Sequence, residues 1–305
     1  MSPEDERILG VLQTDGRVPY SQIARDFGLS ARTVARRVQA LEEEGVISFV
    51  ALTDARLFGY SARATILVRL EPTTKRQDAL DAITKFPSVP YVAVTAGRAD
   101  LYVDVVCRTL PDIVRFVDES LGLVPGIASF EILPIVGFFY FRDVGGTGEG
   151  MPPLDEMDRR IVLQLIRDAR RPYKLIGDAV GASEPQVRRR VNHLVENGAL
   201  RVVSVINPMA LGWTSMAMVG VRADGGVFEV AKQLSSQDPI TWLATVSGSY
   251  DIFAEIVAAS RADIFDFVNT QIRSVPGVRD TYIFESFSIY HEPKFLLELE
   301  NCEAG

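Results

Sequence analysis

Arg32, Thr33, Arg36 and Arg37 fall on the side of a helical stretch that its apolar positions, Val34, Val38 and Leu41, leave free. That side carries no acid until Glu42. Arginine offers bidentate hydrogen bonds to guanine edges and to phosphates, so such a face suits the major groove of DNA. A second set, Arg188, Arg189 and Arg190, follows Ser183-Glu184-Pro185-Gln186. Glu184 would repel phosphate if it faced DNA, whereas Arg170, Arg171 and Lys174 make the flanks basic. The DNA-contacting set expected from these two runs is Ser30, Arg32, Thr33, Arg36, Arg37, Ser183, Gln186, Arg188, Arg189 and Arg190. A different chemistry stands further along each half: Gly97-Arg98-Ala99-Asp100, and Ser247-Gly248-Ser249-Tyr250-Asp251. Glycine lets a ligand approach the backbone and exposes amide hydrogens to a carboxylate, and aspartate pairs with an ammonium group. A zwitterion needs both. The expected effector-binding residues are therefore Gly97, Asp100, Ser247, Gly248, Ser249, Tyr250 and Asp251. Arg98 would oppose an ammonium or offer a different anion site. The plainer reading is a hairpin whose aspartates cap the turn.

The elements that must position these groups are legible from spacing. Ile8, Leu9 and Leu12 form one apolar stripe, and Pro19 suits the first turn of a helix carrying Ile23, Ala24 and Phe27. Gly28 ends that helix and Ser30 is a natural N-cap for the next, which stops near Gly45. The three together have the form of a helix-turn-helix. Beyond them strands and helices alternate: strand Ala64–Leu70, helix Asp78–Phe86, strands Val89–Thr95 and Leu101–Cys107, helix Pro111–Leu121, strand Ile127–Ile135. The order β-α-β-β-α-β is the ferredoxin-like arrangement. Gly137–Phe141 reads as a final strand or an oligomer contact.

The chain then does it again. Asp15, Pro19-Tyr20, Ser30, Arg36-Arg37 and Gly45 recur 153 residues later. Gly97, Asp100 and Pro125-Gly126 recur 151 residues later, the second copy being two residues shorter in between. Gly145 to Pro153, GGTGEGMPP, reads as a linker. The strands and helices of the second copy are Ser215–Arg222, Phe228–Leu234, Ile240–Val246, Ile252–Ala258, Ile264–Ile272 and Val278–Phe287. The expected fold class is α+β, two tandem modules, each a winged-type helix-turn-helix followed by a ferredoxin-like sensing domain. The expected domains are 1–50, 60–142, a linker at 143–153, 154–203 and 213–293.

Composition excludes several classes. Of 305 residues, 47 % are hydrophobic and 24 % charged, ordinary for a folded domain protein. No apolar run is long enough to span a bilayer and the acidic start has no signal-peptide pattern, so the expectation is a cytoplasmic protein without membrane contact. The net charge of −8 argues against a surface coated with nucleic acid but not against a local basic helix. Cys107 and Cys302 lack C-x-x-C partners and read as reduced thiols, and two histidines, His193 and His291, are too few for a histidine-rich metal cage. No phosphate-loop, dinucleotide or nucleophile-elbow motif is present, so no catalytic residue, metal or cofactor is expected.

With these residues in view, the chain resembles the Lrp/AsnC (feast/famine) transcription regulators over nearly its whole length, twice. LSARTVARRVQALEEEGVI is similar to that family's recognition helix, and ASEPQVRRRVNHLVENGAL is a looser likeness. SGSYDIF resembles the turn of its ligand-sensing half. The resemblance implies a transcription regulator that binds double-stranded DNA and a small effector, usually an amino acid, and that assembles as a homo-oligomer, here a dimer or tetramer of the double chain. Most members are single modules that dimerise, so the pair would here be built within one chain or between chains. Two other readings share the scaffold: a tetrapyrrole (sirohaem-type) decarboxylase, in which His291 would serve, and a DNA-independent assembly scaffold.

Overall fold

A computed structural model of the chain describes residues 2–141, 154–207, 210, 212–291 and 295–303. The expected linker lies outside the described residues. The chain divides into two compact units, Met1–Phe58 with Asp143–Gly212, and Gly59–Arg142 with Trp213–Gly305. Each unit takes material from both copies of the repeat.

The first unit is helical. Helices α1 (Pro3–Thr14), α2 (Tyr20–Phe27) and α3 (Ala31–Glu43) come from the first copy, α6 (Glu156–Arg167), α7 (Tyr173–Val180) and α8 (Glu184–Glu196) from the second. Local chemistry sets their ends. Ser2 and Asp5 form a capping box on α1. Gly28 stops α2 in the left-handed region at φ 68°, and Ser30 caps α3 by accepting from the Thr33 amide. Ile8, Leu9, Leu12, Ile23, Val34, Val38 and Leu41 form one buried cluster. The strands after each third helix, β1 (Ile47–Thr53) and β6 (Leu200–Ile206), are not among those that spacing predicts; they pair antiparallel with each other, Val50 opposite Val203. Reciprocal contacts tie the copies. Arg17 donates to the carbonyls of Ala169 (2.6 Å) and Arg171 (3.0 Å) and stacks on Tyr173, while its repeat partner Arg170 stacks on Tyr20.

The second unit holds β2 (Ala62–Leu70), α4 (Arg76–Ile83), β3 (Tyr91–Ala96), β4 (Leu101–Cys107), α5 (Leu110–Glu119) and β5 (Ile127–Phe141) from the first copy. The second supplies β7 (Ser215–Ala223), α9 (Val227–Ser235), β8 (Ile240–Val246), β9 (Ile252–Ala258), α10 (Arg261–Phe267) and β10 (Val278–His291), followed by α11 (Phe295–Glu303). All eight strands close one antiparallel barrel in the order β10-β3-β4-β2-β5-β8-β9-β7. The long strands do the joining. β5 pairs with β2 of its own copy through Pro134 and with β8 from Ile135 onward. β10 pairs likewise with β7 and then β3. The Gly137–Phe141 run is thus the part of β5 that meets the other copy.

Alternation sorts the side chains. Ile66, Val68, Val92, Val103, Ile83 and Val117 pack between the first sheet and its helices, and Val219, Val221, Ile252, Ala254, Leu234 and Ile264 do so in the second. The opposite face of both sheets lines the barrel interior, with Tyr102, Leu133, Met218, Trp242, Tyr250, Phe253 and Phe284. Cys107 is a half-buried free thiol that burial pushes up to about 11; the side chain of Cys302 lies outside the described residues.

Candidate nucleic-acid interface and ligand cleft

On α3, Arg32 and Arg36 are exposed and one turn apart, with Thr33 beside them. No carboxylate among the described residues pairs with either arginine. The Ser30 hydroxyl is engaged in capping and bonded to Thr33 Oγ1 (2.8 Å). Arg37 has a different occupation: it bridges to Glu4 and to Asp5 (2.9 Å) at the start of α1. Burial works against the Asp5 carboxylate, but hydrogen bonds from Ser2 and Arg37 outweigh it and hold the carboxyl below its usual range. The second copy repeats this brace. Arg190 reaches Asp155 (2.6 Å) and Asp158 (2.8 Å), and the bond from the Asp158 amide, then Arg190, lowers the Asp155 carboxyl. On α8, Arg188 pairs with Glu184 (2.8 Å) and lies near Tyr173, Gln186 accepts from the Ser183 amide and hydroxyl, and Arg189 is exposed. Pro185 stands where the first copy has Arg32. His193 is on the exposed side of α8.

The two glycine-aspartate turns join β3 to β4 and β8 to β9. Gly97 has φ 111° and Gly248 φ 147°, both in the range that favours glycine. In each turn the aspartate clamps the neighbouring strand of its own copy. The Leu70 amide donates to Asp100 Oδ2 (2.9 Å), and the Ala223 amide to Asp251 Oδ2 (2.9 Å). Asp100 also accepts from Arg76 (3.0 Å). One oxygen of each aspartate therefore serves the fold. Replacing Asp251 with alanine is expected to strand the Ala223 amide and lower barrel stability by about 1 kcal/mol, read as a lower urea midpoint. An unchanged midpoint would count against the clamp.

What lies opposite each turn differs. The first faces β10 and the end of α10. Gly97 and Arg98, with Phe265, Val268, Asn269, Arg273, Thr281, Tyr282, Ile283 and Phe284, line a cleft of about 390 Å³. Arg98 stacks on Tyr282 at 3.9 Å and donates hydrogen bonds to the side chains of Tyr250 and Tyr282, which raises its pKa. Tyr250 itself is buried in the barrel against Phe253, Tyr282 and Phe284. The second turn faces β5. There the Ser249 amide donates to the Glu131 carboxylate (3.1 Å), the Ser247 amide donates to the Pro134 carbonyl (3.0 Å), and Leu133 occupies the space a side chain on Gly248 would need. Sequence reasoning missed Glu131, Arg273 and Tyr282, because each is brought to its turn by the other copy.

Inside the barrel the Tyr91 hydroxyl donates to Glu255 (3.0 Å), and Arg63 pairs with Asp104. Burial raises the Glu255 carboxyl, more than hydrogen bonds from Thr241 and Tyr91 lower it. An acid whose pKa is higher folded than unfolded contributes stability below its ordinary value of 4.5, lost as pH rises through the raised value. The wild-type protein is therefore expected to lose stability relative to a Glu255→Gln variant as pH rises above 4.5. Urea midpoints across that range test this; parallel curves would overturn it.

Paired helix-turn-helix units in one body and two β-α-β-β-α-β folds in one barrel define a duplicated two-part protein. The AsnC-type helix-turn-helix domain matches residues 2–42 and 154–195, and the Lrp/AsnC ligand binding domain matches 63–137 and 216–294. The chain belongs to the Lrp/AsnC family. An uncharacterized HTH-type transcriptional regulator of Pyrococcus horikoshii is 37 % identical over 128 residues, 42 % of this chain and 80 % of the relative. The HTH-type transcriptional regulator LrpA of the same organism is 35 % identical over 127 residues, 41 % and 90 % of the two chains. Over the full length the fold is similar to that of the siroheme decarboxylase NirDL, with a TM-score of 0.69, 18 % identity and 99 % of both chains covered; that likeness is one of fold. No helix among the described residues is long and apolar enough to cross a membrane.

Proposed function

We propose that the chain is a sequence-specific DNA-binding transcription regulator whose DNA affinity responds to a small effector. The observation that carries this is the exposed Arg32 and Arg36 pair, without acid partners, on the third helix of a helix-turn-helix of a regulator family. Arg36 and Arg32 are base- or phosphate-contacting groups in this reading, Thr33 an auxiliary donor, and Arg188 and Arg189 the contribution of the second copy. Arg37 and Arg190 act as braces that fix the angle between first and third helices. The working domain boundaries are 1–50, 60–142, 154–203 and 213–293, and the working site is the cytoplasm. The double chain forms a homodimer or homotetramer. An effector acts only through different affinities for two arrangements of the protein.

The test is selection of bound fragments from sheared genomic DNA of the source organism by the purified chain, followed by sequencing. Enrichment of a few intergenic sites, lost as salt is raised, supports the reading. No enrichment at low salt, with or without effector candidates, overturns it. The decarboxylase alternative is tested separately by adding sirohaem and following absorbance, where the expected result is no shift. The side chain of His291, on which that alternative draws, lies outside the described residues.

A further inference from the structure

The repeat makes the two turns directly comparable, position by position. Where the first turn has Arg98 the second has Ser249, and where β10 has Tyr282 opposite the first turn, β5 has Glu131 opposite the second. The helical segments behind them differ in the same sense: Arg273 corresponds to Gly122 and Asn269 to Asp118. One location thus has two guanidiniums and neutral polar groups, and its twin has two carboxylates and no arginine at these positions.

The twin is also closed. The Glu131 carboxylate accepts from the Ser249 amide at 3.1 Å, and Leu133 lies under Gly248. A carboxylate of the protein sits where a ligand carboxylate would sit. The first turn is open: a side chain built on Gly97 would meet only the Ile283 carbonyl, at 3.7 Å. Behind it, α10 passes into a π-helical turn, Val268–Ile272, in which the Arg273 amide bonds the Val268 carbonyl (3.0 Å). Such turns recur at functional sites. This one ends at Arg273, which donates through Nε to Thr281 (2.7 Å) and keeps its terminal amino groups for another acceptor. Neither Arg98 nor Arg273 has a carboxylate partner among the described residues.

The cleft offers no carboxylate to an ammonium group. No acid lines it. The carboxylate of Asp280, further along β10, accepts from the Tyr282 hydroxyl (3.1 Å) and is not among the lining residues. Asp100 belongs to the same turn but is held by Leu70 and Arg76. The remaining lining, Phe265, Val268, Ile283 and Phe284, is apolar.

We propose that the chain binds one effector, in the cleft at the first turn, and that this effector is an organic carboxylate with an apolar body and no ammonium group, the class of the 2-oxo acids. Arg98 and Arg273 hold the carboxylate by charge-assisted hydrogen bonds, Thr281 and Asn269 flank the 2-oxo oxygen, and the apolar residues take the body. This rests on the reading of the barrel as effector-sensing and replaces the amino-acid expectation with its deaminated counterpart. The second turn is a self-liganded copy that binds nothing.

The test is isothermal titration of the full chain, without DNA, with phenylpyruvate against L-phenylalanine and 4-methyl-2-oxopentanoate against L-leucine. The expected result is binding of a 2-oxo acid at one per chain, with its amino acid about tenfold weaker or more, since an ammonium among guanidiniums loses a charge-assisted partner and gains repulsion. Arg273→Gln and Arg98→Gln are each expected to weaken binding about tenfold or more, and Glu131→Gln to leave it unchanged. Both arginines are exposed, so the variants fold, which their thermal melts verify. Amino acids binding as tightly as their 2-oxo acids, two ligands per chain, indifference to Arg273→Gln, or no binding by any of the four compounds would each overturn the proposal. Because binding is read without DNA, a failed fragment selection leaves this result standing, and a failed titration leaves the DNA reading standing.

Discussion

Replacing Arg36 with alanine is expected to weaken specific DNA binding by about 5- to 150-fold, the range set by about 1–3 kcal/mol for one good bidentate contact to a base pair. Arg36 is on the exposed side of α3, a turn from Arg32, and has no acid to neutralise it among the described residues. The informative comparison is Arg37→Ala. Its neighbour Arg37 is spent on Glu4 and Asp5, so removing it leaves two acids without their cation and loosens α1 against α3. The expectation is a lower unfolding midpoint with the preference for operator over random DNA retained. Titrations of both variants at several salt concentrations separate the roles. Arg36→Ala changes discrimination, and if it also contacts phosphate it lowers the salt slope by about 1. If Arg37→Ala abolished discrimination while Arg36→Ala did not, the assignment would be reversed.

Truncating Phe253 is expected to be the most damaging single change to the barrel. Its ring is fully buried and meets Tyr102 at 5.7 Å, Tyr250 at 5.1 Å and Phe284 at 5.7 Å. Tyr102 belongs to the first copy and the others to the second, so this cluster holds the halves of the barrel together. Phe→Ala in such a site costs about 3–5 kcal/mol, the lost transfer energy plus the cavity left behind. Domains have about 5–15 kcal/mol in total. Phe253→Ala is therefore expected to remove about a fifth or more of the barrel's stability, seen as a large drop in the urea midpoint followed by near-ultraviolet circular dichroism of the aromatic cluster. Phe253→Leu keeps most of the volume and should cost about 1.5 kcal/mol or less. Equal stability of the two variants would contradict a tightly packed interior.

The parts of the molecule that the residues announce are those built by short-range rules. Gly28 followed by Ser30 marks a helix end and a cap, and the turn is there. Strands Leu101–Cys107, Ile240–Val246 and Ile252–Ala258 have the bounds their periodicity predicts. What spacing does not announce depends on partners far along the chain. Spacing does not show β1 and β6, because Ile47–Thr53 and Leu200–Ile206 become strands by pairing with each other, across about half the sequence. β10 runs past its expected end, and the expected final strand Gly137–Phe141 continues β5, because these residues pair with the other copy. The arginine run on α3 reads as one uniform face until Asp5 takes Arg37 out of it. Within the turns, Arg98 marks the difference in the sequence; the rest of it comes from Glu131, Tyr282 and Arg273, each brought to its turn by the other copy.

The pairing of copies within a single polypeptide changes how the protein answers to its own abundance. A regulator whose working unit is two separate chains obeys mass action: dilution takes it apart, and its melting temperature drifts with concentration. Here Arg17 on Tyr173, Arg170 on Tyr20, β1 on β6 and β5 on β8 are all intramolecular, so each half meets the other at the fixed local concentration of a tether. Formation of the helical body and of the closed barrel is therefore independent of chain concentration. Covalent union also frees the halves from evolving in lockstep: a change at Arg273 touches one site per assembled pair, where in a dimer of identical chains it would touch both.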